Sequence, residues 1–413
     1  MAIVKMSKFN LFAFNSDREN LLHELQKFKY VHFINLNKND SLKEIGLKNV
    51  EVPESIVALD EEISKVKYGI EILSHFYEKE SGLGAMKKGL ETLNFDELEE
   101  RDSKIDYINL YNQLKDLNDK KEMLIQDVTK LGSSIEELSP WVKLNSPIKE
   151  LNKFESSEAL LGTIPKKLKQ KLETELLDTN YTYFEILSED KDNIYVLAIT
   201  SNSEAETLNE ILRNNSFSSV KLSAEEEPST EISKLQEEIQ IKENEIKDFE
   251  NKIRQFSGAL PDLEVEYEYL MNKKLRLMAS ENFVATDNVN VIQGYIPAEM
   301  EDEFVQAVKL ALKDNYYIEI KEAERDNPEV PILLKNSKFV QSFESLTGMY
   351  ALPRYNEIDP TPFLAPFYLA FFGMMIADIG YGILMLIGTL VALKYFNLTD
   401  SMKSFMRFFH YLS

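Results

Sequence analysis

One carboxylate stands alone in a long apolar stretch. From Phe363 to Leu393 the chain is almost wholly apolar, and Asp378 is its one charge. A carboxylate in hydrocarbon is costly, so it either hydrogen-bonds a neighbouring helix and fixes packing or lies on an ion path. With no partner helix in view, packing is the expected role. Beside it Ala370, Gly373, Ala377 and Gly380 recur every three or four residues. Small residues along one helix face let another membrane helix approach closely. A bilayer core takes roughly 20 apolar residues as helix, so 363–396 is expected to form a transmembrane helix. "SFMRFFHYLS" (404–413) is aromatic and apolar enough to start a second span, assigned to 402–413.

Other chemistry is hard to find. There are no cysteines, which excludes disulfides, thiolate metal sites and cysteine nucleophiles. His23, His32, His75 and His410 are scattered without metal-binding spacing, so no metal site is expected. "SGLGAMKKG" (81–89) has glycines and lysines, but a phosphate-binding loop needs Gly, four residues, then Gly-Lys-Ser/Thr after a strand. There is no GxSxG motif, and acidic pairs such as Glu61–Glu62 fall on solvated helix faces. No catalytic or cofactor-binding residue is assigned, and the chain is not expected to be an enzyme. The net charge of −23 argues against nucleic acid as a partner. The N-terminus lacks signal-peptide character, which places the residues before the apolar run on the cytoplasmic side. Lys394, Lys403 and Arg407 follow the run and pull against that orientation under the positive-inside rule.

The elements that must position this carboxylate alternate in type. "IVKMSKFNLFAF" (3–14), "SDRENLLHELQKFK" (16–29) and "YVHFINL" (30–36) read as strand, helix, strand, with Ser16 and Glu19 as a capping box. A second such unit follows at "NVIQGYI" (290–296), 297–314 and 316–324. Two βαβ halves make one ferredoxin-like lobe from residues 1–52 and 288–345. Between them 150–225 spells βαββαβ, a second lobe. The pattern Gly-x-Ile-Pro before a helix occurs in both, as "GTIPKK" (162–167) and "GYIPAE" (294–299). Duplication and convergence both account for it.

Heptads separate the lobes. Apolar residues step by three and four from Ile56 to Tyr77, and again from Tyr107 to Leu138 with Lys121 as the polar exception. The return segment carries Ile232, Ile239, Ile246 and Ile253, seven apart. Such spacing predicts a coiled coil. Residues 53–140 run outward and 229–287 return, so the pair is antiparallel. The fold class is therefore α+β: two ferredoxin-like α/β lobes joined by a long antiparallel coiled-coil arm, then an approach segment (346–362) and a transmembrane helix.

Several stretches carry a family resemblance. "PILLKNSKFVQSFESLTGMYALPRYNEIDPTPF" (331–363) followed by "FFGMMIADIGYG" (371–382) resembles the membrane signature of subunit I, also called subunit a, of the V-type and A-type rotary ATPases. "LSPWVKL" (138–144) resembles the end of that family's first arm helix, and "KMSKFNLFAF" its first strand. Ala351 departs from the family's more usual Gly in that turn. The resemblance implies a stator whose lobes hold peripheral-stalk subunits E and G. Its membrane part lies in the lipid bilayer against the proteolipid ring, near the central-stalk subunits. It further implies a multi-pass subunit of the cell membrane with its N-terminal part in the cytoplasm, moving H⁺ or Na⁺ through later helices. The rival readings are a coiled-coil membrane tether or scaffold, and a membrane-bound sensor of small ligands.

Overall fold

The computed structural model describes residues 2–38, 46–50, 53–78, 83–89, 91–102, 106–151, 153–177, 179–376 and 378–413. In chain order the strands are β1 (Met6–Phe14), β2 (His32–Phe33), β3 (Lys48–Asn49), β4 (Ser157–Pro165), β5 (Thr182–Glu189), β6 (Asn193–Ser201), β7 (Ser218–Ser219), β8 (Val284–Ala285), β9 (Val289–Pro297) and β10 (Tyr316–Glu322). The longer helices are α1 (Arg18–Phe28), α2 (Pro53–Ser74), α3 (Phe95–Asp102), α4 (Tyr107–Leu138), α5 (Lys169–Leu176), α6 (Ala205–Asn214), α7 (Pro228–Arg254), α8 (Leu260–Ser280), α9 (Glu301–Leu312), α10 (Thr361–Ile376), α11 (Ile379–Tyr395) and α12 (Asp400–Leu412). Helices and antiparallel sheets together make an α+β architecture. The chain divides into two compact units, Met1–Tyr111 with Gly258–Ser413, and Asn112–Ser257.

In the first unit β1 alternates as a half-buried strand must. Phe9, Leu11 and Ala13 are buried and meet Leu21, Leu22 and Leu25 of α1 and Phe304, Val308 and Leu312 of α9. The strand order is β10-β1-β9-β8-β3, with β2 also paired to β9. The expected strand at 30–36 keeps only two residues as β2. Beyond it Ile34 still bonds Gln293, while Leu36 bonds Asn282 and turns into a 3-10 segment. Ile56 and Ala279 pack against the same core. The Lys274 Nζ of α8 meets Asp60 of α2 at 2.6 Å. The helices α2 and α8 are therefore antiparallel, burying Leu59, Ile63, Val66 and Leu73 on one side and Leu263 and Leu270 on the other.

In the second unit the sheet runs β5-β6-β4-β7, and both faces are covered. Ile164, Ile194, Val196 and Ala198 pack on Leu172 of α5 and on Leu208 and Leu212 of α6. On the other face Leu161, Leu187 and Leu197 meet Leu138, Trp141, Leu144 and Ile148. Trp141 stands edge-on to Tyr195 at 5.4 Å, and Ser188 Oγ donates to the Pro140 carbonyl at 2.6 Å. Ile232 and Leu235 of α7 join this cluster beside Leu138 of α4, and Lys242 meets Asp127 at 3.1 Å. The two helices thus run in opposite directions. Ile253 is buried, and Ile232, Ile239 and Ile246 are half-buried.

The Gly-x-Ile-Pro repeat has a packing cause. Ile164 and Ile296 are fully buried, and each Pro leads into a 3-10 turn at φ, ψ of −56°, 128° and −61°, 129°. The next amides, of Lys166 and Ala298, donate to Asp192 and Lys5 carbonyls at 2.8 Å each. A Cβ on Gly162 would sit closer than 3.0 Å to the Phe217 ring and the Ser218 carbonyl. On Gly294 it would press equally on the His32 carbonyl and the Phe9 ring. In both places a two-residue edge strand comes in over a bare Cα.

The expected single transmembrane helix over 363–396 is corrected. The run folds as α10 and α11, 16 and 17 residues long, and no helix among the described residues is long and apolar enough to cross a membrane. Two local causes weaken a continuous helix. Asp378 takes a helix amide for its own side chain, which competes with the backbone ladder, and Gly380 and Gly382 follow at once. The assignment of 402–413 to a second span meets α12, a 13-residue helix.

Gly162→Ala and Gly294→Ala are each expected to destabilise their own unit by about 1–3 kcal/mol, whereas Gly258→Ala, where a Cβ meets nothing, stays neutral. Denaturant unfolding followed by hydrogen exchange in each sheet checks this. Trp141→Ala is expected to cost the second unit about 3–5 kcal/mol, read from its unfolding midpoint.

Candidate functional site

The site forms where the first unit's sheet gives way to the apolar helices. Past β10 the chain crosses back under the N-terminus. Val4 N donates to the Leu333 carbonyl at 2.9 Å and Lys335 N to the Ala2 carbonyl at 2.7 Å. Asn336 then reaches two carboxylates with one amide, Glu344 at 2.8 Å and Asp359 at 2.7 Å.

Asp359 is the centre of this clasp and is buried. It accepts from the Thr361 amide at 2.9 Å and the Thr361 hydroxyl at 2.6 Å. Because Thr361 spends its proton on Asp359, it accepts in turn from Thr347 at 2.8 Å. Burial pushes the Asp359 carboxyl up, but the bonds from Asn336 and Thr361 outweigh it, and its pKa lies below the ordinary carboxylate value. The root of α10 is therefore tied both to the segment that joins the sheet and to the short helix Glu344–Tyr350.

Asp378 lies further on, between the two apolar helices. Its backbone is extended at φ −122°, ψ 111°, and its Oδ1 accepts from the Gly380 amide at 2.7 Å, so it is the N-cap of α11. An N-cap oxygen satisfies one of the orphan amides of a helix start. Gly373, Asp378 and Gly382 border one depression of about 410 Å³ closed by Leu412. The expected small-residue stripe along one helix does not form: Ala370 and Gly373 are on α10, Gly380 is in the first turn of α11, and Ala377 lies outside the described residues. Pro366 sits inside α10, where it removes a backbone donor.

The helix α12 folds back on this group. Thr399 caps it, and its Phe408 and Leu412 are buried against Phe343 and Ala365. Thr389 of α11 lies 3.2 Å from His410 Nδ1. On α10 and α11 Phe367, Met375, Ile379 and Leu384 are exposed, and large apolar residues left exposed in number mark protein or membrane contact. Ile232, Ile239, Ile246 and Ile253 are no part of this site; they lie along α7 in the second unit. Among the described residues no three His, Cys, Asp or Glu side chains converge to hold a metal ion.

Asn336, Thr347, Asp359 and Thr361 were not singled out from the sequence, although all four fall in the stretch that carries the family resemblance. Their available signal was local: Asp-Pro-Thr-Pro just before an apolar run reads as a helix start.

Comparison with known proteins covers nearly the whole chain. The family model described as the V-type ATPase 116kDa subunit family matches residues 23–410. A-type ATP synthase subunit I of Methanocaldococcus jannaschii is 29% identical over 283 residues, covering 67% of this chain and 40% of its own. The subunit I of Archaeoglobus fulgidus is 27% identical over 299 residues, covering 69% and 42%. The chain thus spans less than half the length of these curated relatives. A crystal structure of the cytoplasmic N-terminal domain of subunit I, homolog of subunit a, of V-ATPase aligns with 76% of this chain and all of its own, at 13% identity and a TM-score of 0.33.

Because the Asp359 pKa is depressed in the folded chain, its contribution is complete above the unfolded value of about 3.9 and is lost as pH falls through the lower folded value. Asp359→Asn is expected to cost about 1–3 kcal/mol at neutral pH and to flatten the acid dependence. Hydrogen exchange at the Thr361 amide, followed from pH 7 into acid, checks both.

Proposed function

The chain belongs to the V-type ATPase 116kDa subunit family, and we propose that it serves as the stator subunit of a rotary V/A-type ATPase, anchoring peripheral stalks to the membrane sector. The observation that carries this reading is the root of the apolar helices. A stator passes torque from membrane to stalk, and a flexible linker would dissipate it. The backbone bonds at Ala2 and Leu333 and the Asp359 clasp tie the start of α10 by hydrogen bonds to the segment beside the sheet, which supports a stiff connection.

On this reading both sheets are ferredoxin-like lobes, which their strand order supports, and they hold stalk subunits E and G. The antiparallel helix pairs act as coiled-coil struts, supported by the half-buried Ile232, Ile239 and Ile246 and by the Lys242–Asp127 pair. The exposed apolar surface of α10 and α11 meets lipid, the proteolipid ring or further membrane helices, next to the central stalk. The subunit is non-catalytic, belongs to the cell membrane with its lobes in the cytoplasm, and contributes to H⁺ or Na⁺ translocation as part of the assembly. Asp378 then acts in packing, as a cap that holds the start of α11.

An affinity tag on the full-length subunit in native membranes is expected to bring down the stalk subunits and the proteolipid ring; recovery of the subunit alone would overturn the stator reading. Asp378→Asn keeps a capping oxygen and is expected to preserve complex yield and ATP-driven ion uptake. Asp378→Leu loses the cap, worth about 1 kcal/mol, and is expected to lower complex yield. A normal yield with transport abolished in the Asn variant would move Asp378 onto the ion path.

A further inference from the structure

Where the start of α1, the first turn of α2 and one face of α8 meet, the first unit encloses a cavity of about 230 Å³. Ser16, Arg18, Ser55, Lys273 and Arg276 line it, with Glu19 as the one carboxylate. In a chain of net charge −23, three cations facing one acid is an inversion of the local balance. Elsewhere in the unit lysines pair closely with acids, as Lys274 does with Asp60 at 2.6 Å and Lys27 with Asp96 at 2.7 Å. The side chains of Arg18 and Lys273 have no hydrogen-bond or ion-pair partner among the described residues. Arg276 is held in place by the Phe95 ring, 5.7 Å from its guanidinium, and its nearest carboxylate, Glu99, stands at 4.0 Å.

We propose that this cavity binds a small phosphate-class oxyanion such as inorganic phosphate or pyrophosphate. Three cations against Glu19, and against the Glu99 that pairs with Arg276, leave a net positive charge that an oxyanion offsets, and guanidinium forks match tetrahedral oxyanion edges. Ser55 is in the first turn of α2, where backbone N–H groups lack intrahelical acceptors, and the Ser16 and Ser55 hydroxyls add donors. Asn15 also lines the cavity, its side-chain amide group being used on the Thr286 and Asp287 carbonyls. The volume is below the roughly 300–1,000 Å³ of drug-sized ligand sites, which favours a compact anion over a nucleotide.

The test is isothermal titration of the 413-residue chain in detergent with phosphate, pyrophosphate, sulfate and the phosphodiester headgroup glycerophosphoglycerol, against chloride at matched ionic strength. Saturable binding of phosphate or pyrophosphate is expected. Arg18→Gln and Lys273→Gln should each weaken it about tenfold, one charge-assisted bond's worth. Unliganded melting should stay unchanged, because neither side chain has a partner to lose. A Lys167→Gln control in the other unit should bind normally. No saturable binding, binding indifferent to both substitutions, or binding of the phosphodiester with free phosphate inert would each overturn the assignment, the last by giving the site to a lipid headgroup.

Discussion

Strand β1 lies between β9 and β10, two strands from the far part of the sequence, and the first unit cannot close without them. Closing a flexible loop of this length costs on the order of 5 kcal/mol, before any contact compensates. The intervening chain is not flexible, however. The antiparallel pair α2 and α8 begins and ends beside the sheet, with Ile56 and Ala279 in the sheet's own core. Once these helices zip together, only residues 281–288 separate α8 from β9, while α1 and β2 lie between β1 and α2. Sheet closure therefore depends on helix pairing, and the Lys274–Asp60 bridge sits on the path between them.

The two sheets share a plan but not an environment. The second sheet is buried on both faces, with Trp141 and its neighbours covering the side away from α5 and α6. In the first, the corresponding face is covered only at one end, where Met6, Tyr295, Ala323 and Val330 cluster. At the other end Phe12, Phe14 and Tyr317 stay exposed, with Phe12 and Tyr317 5.9 Å apart. Helix α8 instead meets α1, where Gln26 Nε2 donates to Asn272 Oδ1 at 2.8 Å.

Much of this was legible because burial repeats. The alternation of β1, β4 and β6 and the three-and-four spacing of α2 and α4 are periodic signals that survive without a structure. What was missed had no period. β3 and β8 are two residues each, and their pairing depends on where Phe283 is drawn into the core. The break at Asp378 turns on a side-chain hydrogen bond and the glycines that follow it, whereas hydropathy counts only residue types. The Asp359 clasp joins positions 336, 347, 359 and 361 through polar contacts in irregular chain, and the cationic cavity collects residues from three helices far apart in sequence.

The brevity of β2 and β7 has a consequence for association. Each sheet has one long terminal strand, β10 in the first and β5 in the second. Long edges invite foreign strands, and aggregation follows unless they are blunted. Here β10 alternates Glu319, Lys321 and Glu322 along its length, and β5 carries a register shift between Ile186 and Ser188 flanked by Glu185 and Glu189. An incoming strand would meet charge on one edge and a broken ladder on the other. Docking by strand addition is disfavoured on both, leaving side-chain surfaces rather than backbone ladders as the means by which these lobes hold anything else.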